Sequence, residues 1–144
     1  MIRGAPSHVD LTVAELATSV EFYDQVLGRL GYRQLAEAGA GAPCWAISDA
    51  DGGSFTIALQ AARPGSRGKP HDRYAPGLHH LAFHADGRQD VDAFHDFLLE
   101  IGARVLDPPA DYEYTPGYYA VFFSDPDGLK LEVVFEPELR GRTS

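Results

Sequence analysis

A chain of 144 residues, 44% of them hydrophobic, has enough apolar material for one compact domain and too much for a disordered segment. Its net charge of −9 opposes phosphate backbones and anionic membrane surfaces, which excludes a general nucleic-acid or membrane-surface binder. One cysteine, Cys44, precludes an internal disulfide and suits a reducing cytoplasm; it reads as a small half-buried hydrophobe.

No apolar run approaches the ~20 residues that span a bilayer. The opening MIRGAPSHVD has no apolar stretch after its arginine and does not read as a secretion signal. HVDLTV at 8–13 alternates as a strand does. In TSVEFYDQVLGRL at 18–30, Val20, Tyr23, Leu27 and Leu30 recur at helical spacing. Thr18 and Glu21 fit a capping box, with room for the helix to begin a few residues earlier, and Gly28 and Gly31 supply its end. Short strands follow at roughly 32–37, 43–49 and 54–60. Residues 61–76, AARPGSRGKPHDRYAP, carry four Lys and Arg residues and one acid; they read as a solvated linker, the alternative being a basic rim that attracts an anionic small molecule.

GLHHLAFHAD at 77–86 is a second strand, with His79, His80 and His84 in six positions. A helix over 89–101 sets Val91, Phe94, Leu98 and Ile101 on one face, and Gly102 ends it. Strands follow at roughly 103–106, 118–124 and 129–135, and SDPDG at 124–128 makes a tight turn. The halves repeat: His8 and His80, Phe22 and Phe94, and Asp24 and Asp96 are each 72 residues apart. The class is α+β, as two βαβββ modules, the first about 1–62 and the second about 77–144, with a linker at about 63–76.

Strand alternation sorts the side chains. Val9, Leu11 and Val13, then Leu81, Phe83 and Ala85, then Leu131 and Val133 must cover helices, as must Phe55, Ile57 and Leu59. The opposite faces carry His8 and Asp10, His80 and His84, Glu132, and Thr56, Ala58 and Gln60. His79 shares the helix side of its strand and is no candidate ligand. The segment 107–119, DPPADYEYTPGYY, holds Tyr112, Tyr114, Tyr118 and Tyr119 and reads as an aromatic lid for a planar substrate. Trp45 reads as core or cavity wall.

HVDLTV, SVEFYDQVLG, GLHHLAFHAD, YYAVFFSDPDG and LKLEVVFE, in this order and spacing, resemble the vicinal oxygen chelate superfamily, also called the glyoxalase/bleomycin resistance/dioxygenase superfamily. The resemblance covers nearly the whole chain. It implies an open eight-stranded cup with helices on its outer face, a divalent metal on its floor (Fe, Mn, Ni or Zn), a small-molecule substrate and a homodimer. It also implies the ligands His8, His80 and Glu132. The first half lacks its closing carboxylate. That position falls at Ala58 by the flanking apolar residues, which are the stronger guide, and at Gln60 by the 72-residue offset.

With that carboxylate missing, proton shuttling between two glutamates as in glyoxalase I-type members loses a partner. The remaining set resembles the two-histidine-one-carboxylate arrangement of extradiol dioxygenases. The implied function is a metal-dependent enzyme, dioxygenase-like or lyase/isomerase-like, acting on a molecule with adjacent oxygens. In it Glu132 and His84 would be catalytic, and Tyr112, Tyr114, Tyr118, Gln60 and Ala58 would bind substrate. The alternative is a metal-free binding protein of the bleomycin-resistance type.

Overall fold

A computed structural model describes residues 3–35 and 41–137. The chain divides into two compact units, residues 1–69 and 70–144. Each unit is one βαβββ module with a four-stranded mixed sheet.

Unit 1 runs β1 (His8–Val13), α1 (Leu16–Arg29), β2 (Arg33–Gln34), β3 (Cys44–Ser48) and β4 (Ser54–Ala61), followed by a short 3-10 turn at Pro64–Ser66. Its sheet order is β1-β4-β3-β2, with β1 parallel to β4 and the other pairs antiparallel. Helix α1 packs on β2 and β4. The alternation rule holds: Leu11, Val13, Ile57 and Leu59 are buried with Tyr23, Val26 and Leu27 of the helix. Trp45 is wholly buried and donates its indole N–H to Asp24 Oδ1 at 3.0 Å, tying β3 to α1.

The expected capping box does not form. Helix α1 begins two residues before Thr18, Glu15 is its N-cap, and no side chain caps it. The amphipathic stripe fixes the helix, and its first turn extends past the polar pair. The expected strand 32–37 is shorter, and its end lies outside the described residues.

Unit 2 runs β5 (His80–His84), α2 (Arg88–Glu100), β6 (Arg104–Asp111), β7 (Tyr119–Ser124) and β8 (Lys130–Phe135), in the order β5-β8-β7-β6. Helix α2 packs on β6, β7 and β8, burying Val91, Phe94 and Leu98 against Phe83, Phe123, Leu131 and Val133. The β7–β8 turn is closed by the buried Asp125, whose Oδ1 accepts the N–H groups of Asp127 and Leu129, each at 2.9 Å. Gly128 takes φ 85° there, a conformation that a side chain would strain.

Strand β6 is longer than expected and runs through Pro108 and Pro109. It is an edge strand, and two register shifts against β7 absorb residues that cannot pair. The face of this sheet away from the helix is also less polar than alternation suggests. Ala120, Phe122 and Val134 are buried there, with Leu106, Tyr112 and Tyr118 packed on them.

Candidate functional site

Unit 2 gathers a polar constellation on that second face. Glu132 lies in the middle of β8, opposite Ala82 on β5 and Phe122 on β7. Its side chain is 1% exposed, whereas that of His80 is 34% exposed. His80 Nε2 lies 3.0 Å from Glu132 Oε2. The Tyr118 hydroxyl donates to the other carboxylate oxygen, Oε1. Both oxygens of a buried carboxylate are therefore satisfied, as burial requires. Desolvation, then the hydrogen bond to Glu132 and its charge, hold the Tyr118 phenol far above its ordinary range.

On its other side, His80 Nδ1 meets His79 Nδ1 at 2.7 Å, so one of these two nitrogens carries the proton. His79 is exposed and contacts His80, not the carboxylate. His84 is exposed, paired across the sheet with Val134, two residues beyond the Ala82–Glu132 pair.

Aromatic rings wall the constellation. Tyr112 and Tyr114 stack at 5.6 Å and 7°. Tyr114 meets Tyr118 edge-on at 5.1 Å, and Tyr112 meets Phe122 at 5.3 Å. The loop 111–118 borders a cavity of about 490 Å³. Tyr119 points to the opposite side. Its hydroxyl donates to Asp92 at 2.6 Å, and its ring lies 3.9 Å below the Arg88 guanidinium.

Phe122 belongs to this face although sequence reasoning did not single it out, and so does Lys130, which strand alternation turns away from the helix with Glu132. The Lys130 ammonium sits 4.1 Å over the Phe122 ring. Extending the alternation from Glu132 across β7 would have found Phe122.

Unit 1 shows the same register with different residues. Asp10 pairs with Ala58 as Ala82 pairs with Glu132, which makes Ala58, not Gln60, the counterpart of Glu132. The repeat offset is therefore 72 at the opening strands and 74 at the closing ones. Cys44 completes that row across from Ala58, and its thiol is pushed up by burial and by Asp10, the opposite of an activated nucleophile. Gln60 donates to Asp10 Oδ2 at 2.8 Å. His8 is exposed and contacts Ser7 Oγ through Nδ1 at 3.1 Å. A cleft of about 520 Å³ in this unit, bordered by Ser7, Ile47, Asp49 and Phe55, contains no histidine–carboxylate pair.

Among the described residues, no three His, Cys, Asp or Glu side chains are grouped to hold a metal ion. The donor chemistry of the His80–Glu132 pair nevertheless fits one. Adjacent ligands at ~2.1 Å from a cation lie ~3 Å apart, and Nε2 and Oε2 are 3.0 Å apart. Two atoms that share a proton can share a divalent ion in its place.

The chain belongs to the Glyoxalase/Bleomycin resistance protein/Dioxygenase superfamily, whose family model matches residues 5–133. It is 34% identical to the uncharacterized protein YqjT of Bacillus subtilis over 88% of this chain and 95% of that one. It is 32% identical to a 2-epi-5-epi-valiolone epimerase of an Actinomyces species, covering 94% and 84%. A solved glyoxalase-type structure from Bacillus halodurans superposes with a TM-score of 0.75 at 30% identity, covering 92% of this chain and 96% of that one. The superfamily includes enzymes, and its members often use divalent metals and form dimers. No described helix is long and apolar enough to cross a membrane.

Proposed function

We propose that this protein is a metal-dependent enzyme that moves a proton next to a carbonyl group in a small molecule with adjacent oxygens. The observation that carries the reading is the buried Glu132, held at one oxygen by His80 and at the other by Tyr118. The 32% identity to an epimerase favours proton transfer over oxygen insertion.

In this reading His80 and Glu132 would hold a divalent ion (Fe, Mn, Ni or Zn). Bound there, the ion would act as a Lewis acid on two substrate oxygens. Glu132 accepts the proton from the carbon beside the carbonyl, and the electron pair of the broken C–H bond moves onto oxygen as an enediolate. The proton then returns to carbon. Tyr118 fixes the carboxylate and keeps water from its Oε1. His84, exposed on the same face, exchanges a proton with a substrate oxygen. Tyr112, Tyr114 and Phe122 shield the substrate from solvent. In unit 1, Ala58 stands where a second carboxylate would, and the Gln60 amide donates to Asp10.

Each sheet ends in two edge strands, β1 and β2 or β5 and β6, which a second copy of the chain would cover; a homodimer in the cytoplasm is the assembly we propose. Light scattering at tens of micromolar checks it. A strictly monomeric mass would refute it.

The reaction is tested by incubating metal-loaded protein in D2O with a panel of cyclic polyhydroxyketones and following deuterium uptake by NMR. Uptake at the carbon beside the carbonyl, lost in Glu132→Gln, is expected. Uptake unchanged in Glu132→Gln, or none from any ketone, would overturn the reading. The missing carboxylate at Ala58 favours the second reading, a metal-free binder, which predicts ligand binding unaffected by chelators.

A further inference from the structure

We propose that the segment 70–79 and Lys130 form a subsite for an anionic group, a carboxylate or a phosphate, carried by the small molecule that binds beside Glu132. This names the substrate class of the site proposed above and rests on that reading.

In a chain of net charge −9, unpaired cations are conspicuous. Arg73 and Lys130 have no carboxylate within ion-pair distance among the described residues. Arg73 Nε and His71 Nδ1 are buried with no hydrogen-bond partner, a costly state unless a ligand completes it. The segment's one acid, Asp72, accepts the Tyr74 N–H at Oδ1, 2.9 Å away.

A row of rings connects the cations to the candidate site. The Arg73 guanidinium lies 5.0 Å from the Tyr74 ring, Tyr74 lies 5.6 Å from His79, and His79 lies 5.0 Å from His80. His80 lies 6.3 Å from Phe122, over which Lys130 sits at 4.1 Å. His80 and Lys130 are also direct cross-strand partners. The His71 N–H donates to the Asp127 carbonyl at 3.0 Å, anchoring the segment to the β7–β8 turn. Cationic donors without an ion-pair partner are what an oxyanion requires.

The test is an NMR titration of the isotopically labelled full chain, freed of metal, with sodium phosphate and separately with sodium acetate. Chloride holds the ionic strength constant, so that screening alone moves nothing. Saturable shifts confined to residues 71–80 and 130 are expected, and Arg73→Gln and Lys130→Gln should each weaken binding about tenfold. The anion that saturates identifies the group. The titration reads anion binding without metal or turnover, so the subsite stands even if the proton-transfer reading fails. No saturable shift with either anion, or equal binding in both charge variants, would overturn the proposal.

Discussion

Tyr118 and His80 grip opposite oxygens of the same buried carboxylate, Glu132. Replacing Tyr118 with Phe removes a donor and leaves Glu132 Oε1 without it, which should cost about 1–3 kcal/mol at neutral pH. The phenol's ionisation is raised in the fold by burial first and by Glu132 second. Its stabilising contribution is therefore complete below the unfolded value of ~10 and is lost as pH rises toward the folded one. Tyr32, Tyr112 and Tyr119 are raised too and share this slope. Urea unfolding at pH 7 and above 10 should show a lower stability and a shallower alkaline decline in Tyr118→Phe. An unchanged alkaline slope would contradict the pairing.

Much of this was legible in the sequence. Alternation in HVDLTV, HLAFHA and LKLEVVF separated helix-facing residues from the rest, because a strand's period of two leaves no freedom once one face is buried. The Tyr118–Glu132 contact was not legible, since it depends on how the 112–118 turn and the β7–β8 register bring a loop hydroxyl to the middle of a strand. Beyond residue 106 the sequence reads as loop because Pro108 and Pro109 break the pattern, yet strand β6 continues to Asp111, since an edge strand tolerates missing donors. The choice between Ala58 and Gln60 needed the β1–β4 register, since a two-residue shift between the repeats is invisible without pairing.

Leu131 is fully buried in β8, between β5 and β7. Leu131→Ala should destabilise the protein by about 2–5 kcal/mol in denaturant unfolding. A loss below about 1 kcal/mol would mean that the sheet and helix do not meet there as described.

Asp125→Ala removes the acceptor for the N–H groups of Asp127 and Leu129 in a buried turn. A loss of about 1–3 kcal/mol is expected, with faster amide exchange at Leu129. Wild-type exchange at Leu129 would show that the carboxylate does not hold the turn.

The central claim is that His80 and Glu132 hold a divalent ion and that neither His79 nor His84 is a ligand to it. The most direct measurement is Co(II) or Fe(II) titration of the parent and of His80→Ala, His84→Ala and His79→Ala. Stoichiometric binding by the parent, its loss in His80→Ala alone, and retention in the other two is the predicted result. A parent that binds no metal, or a His80→Ala variant that binds it as tightly, would contradict the account.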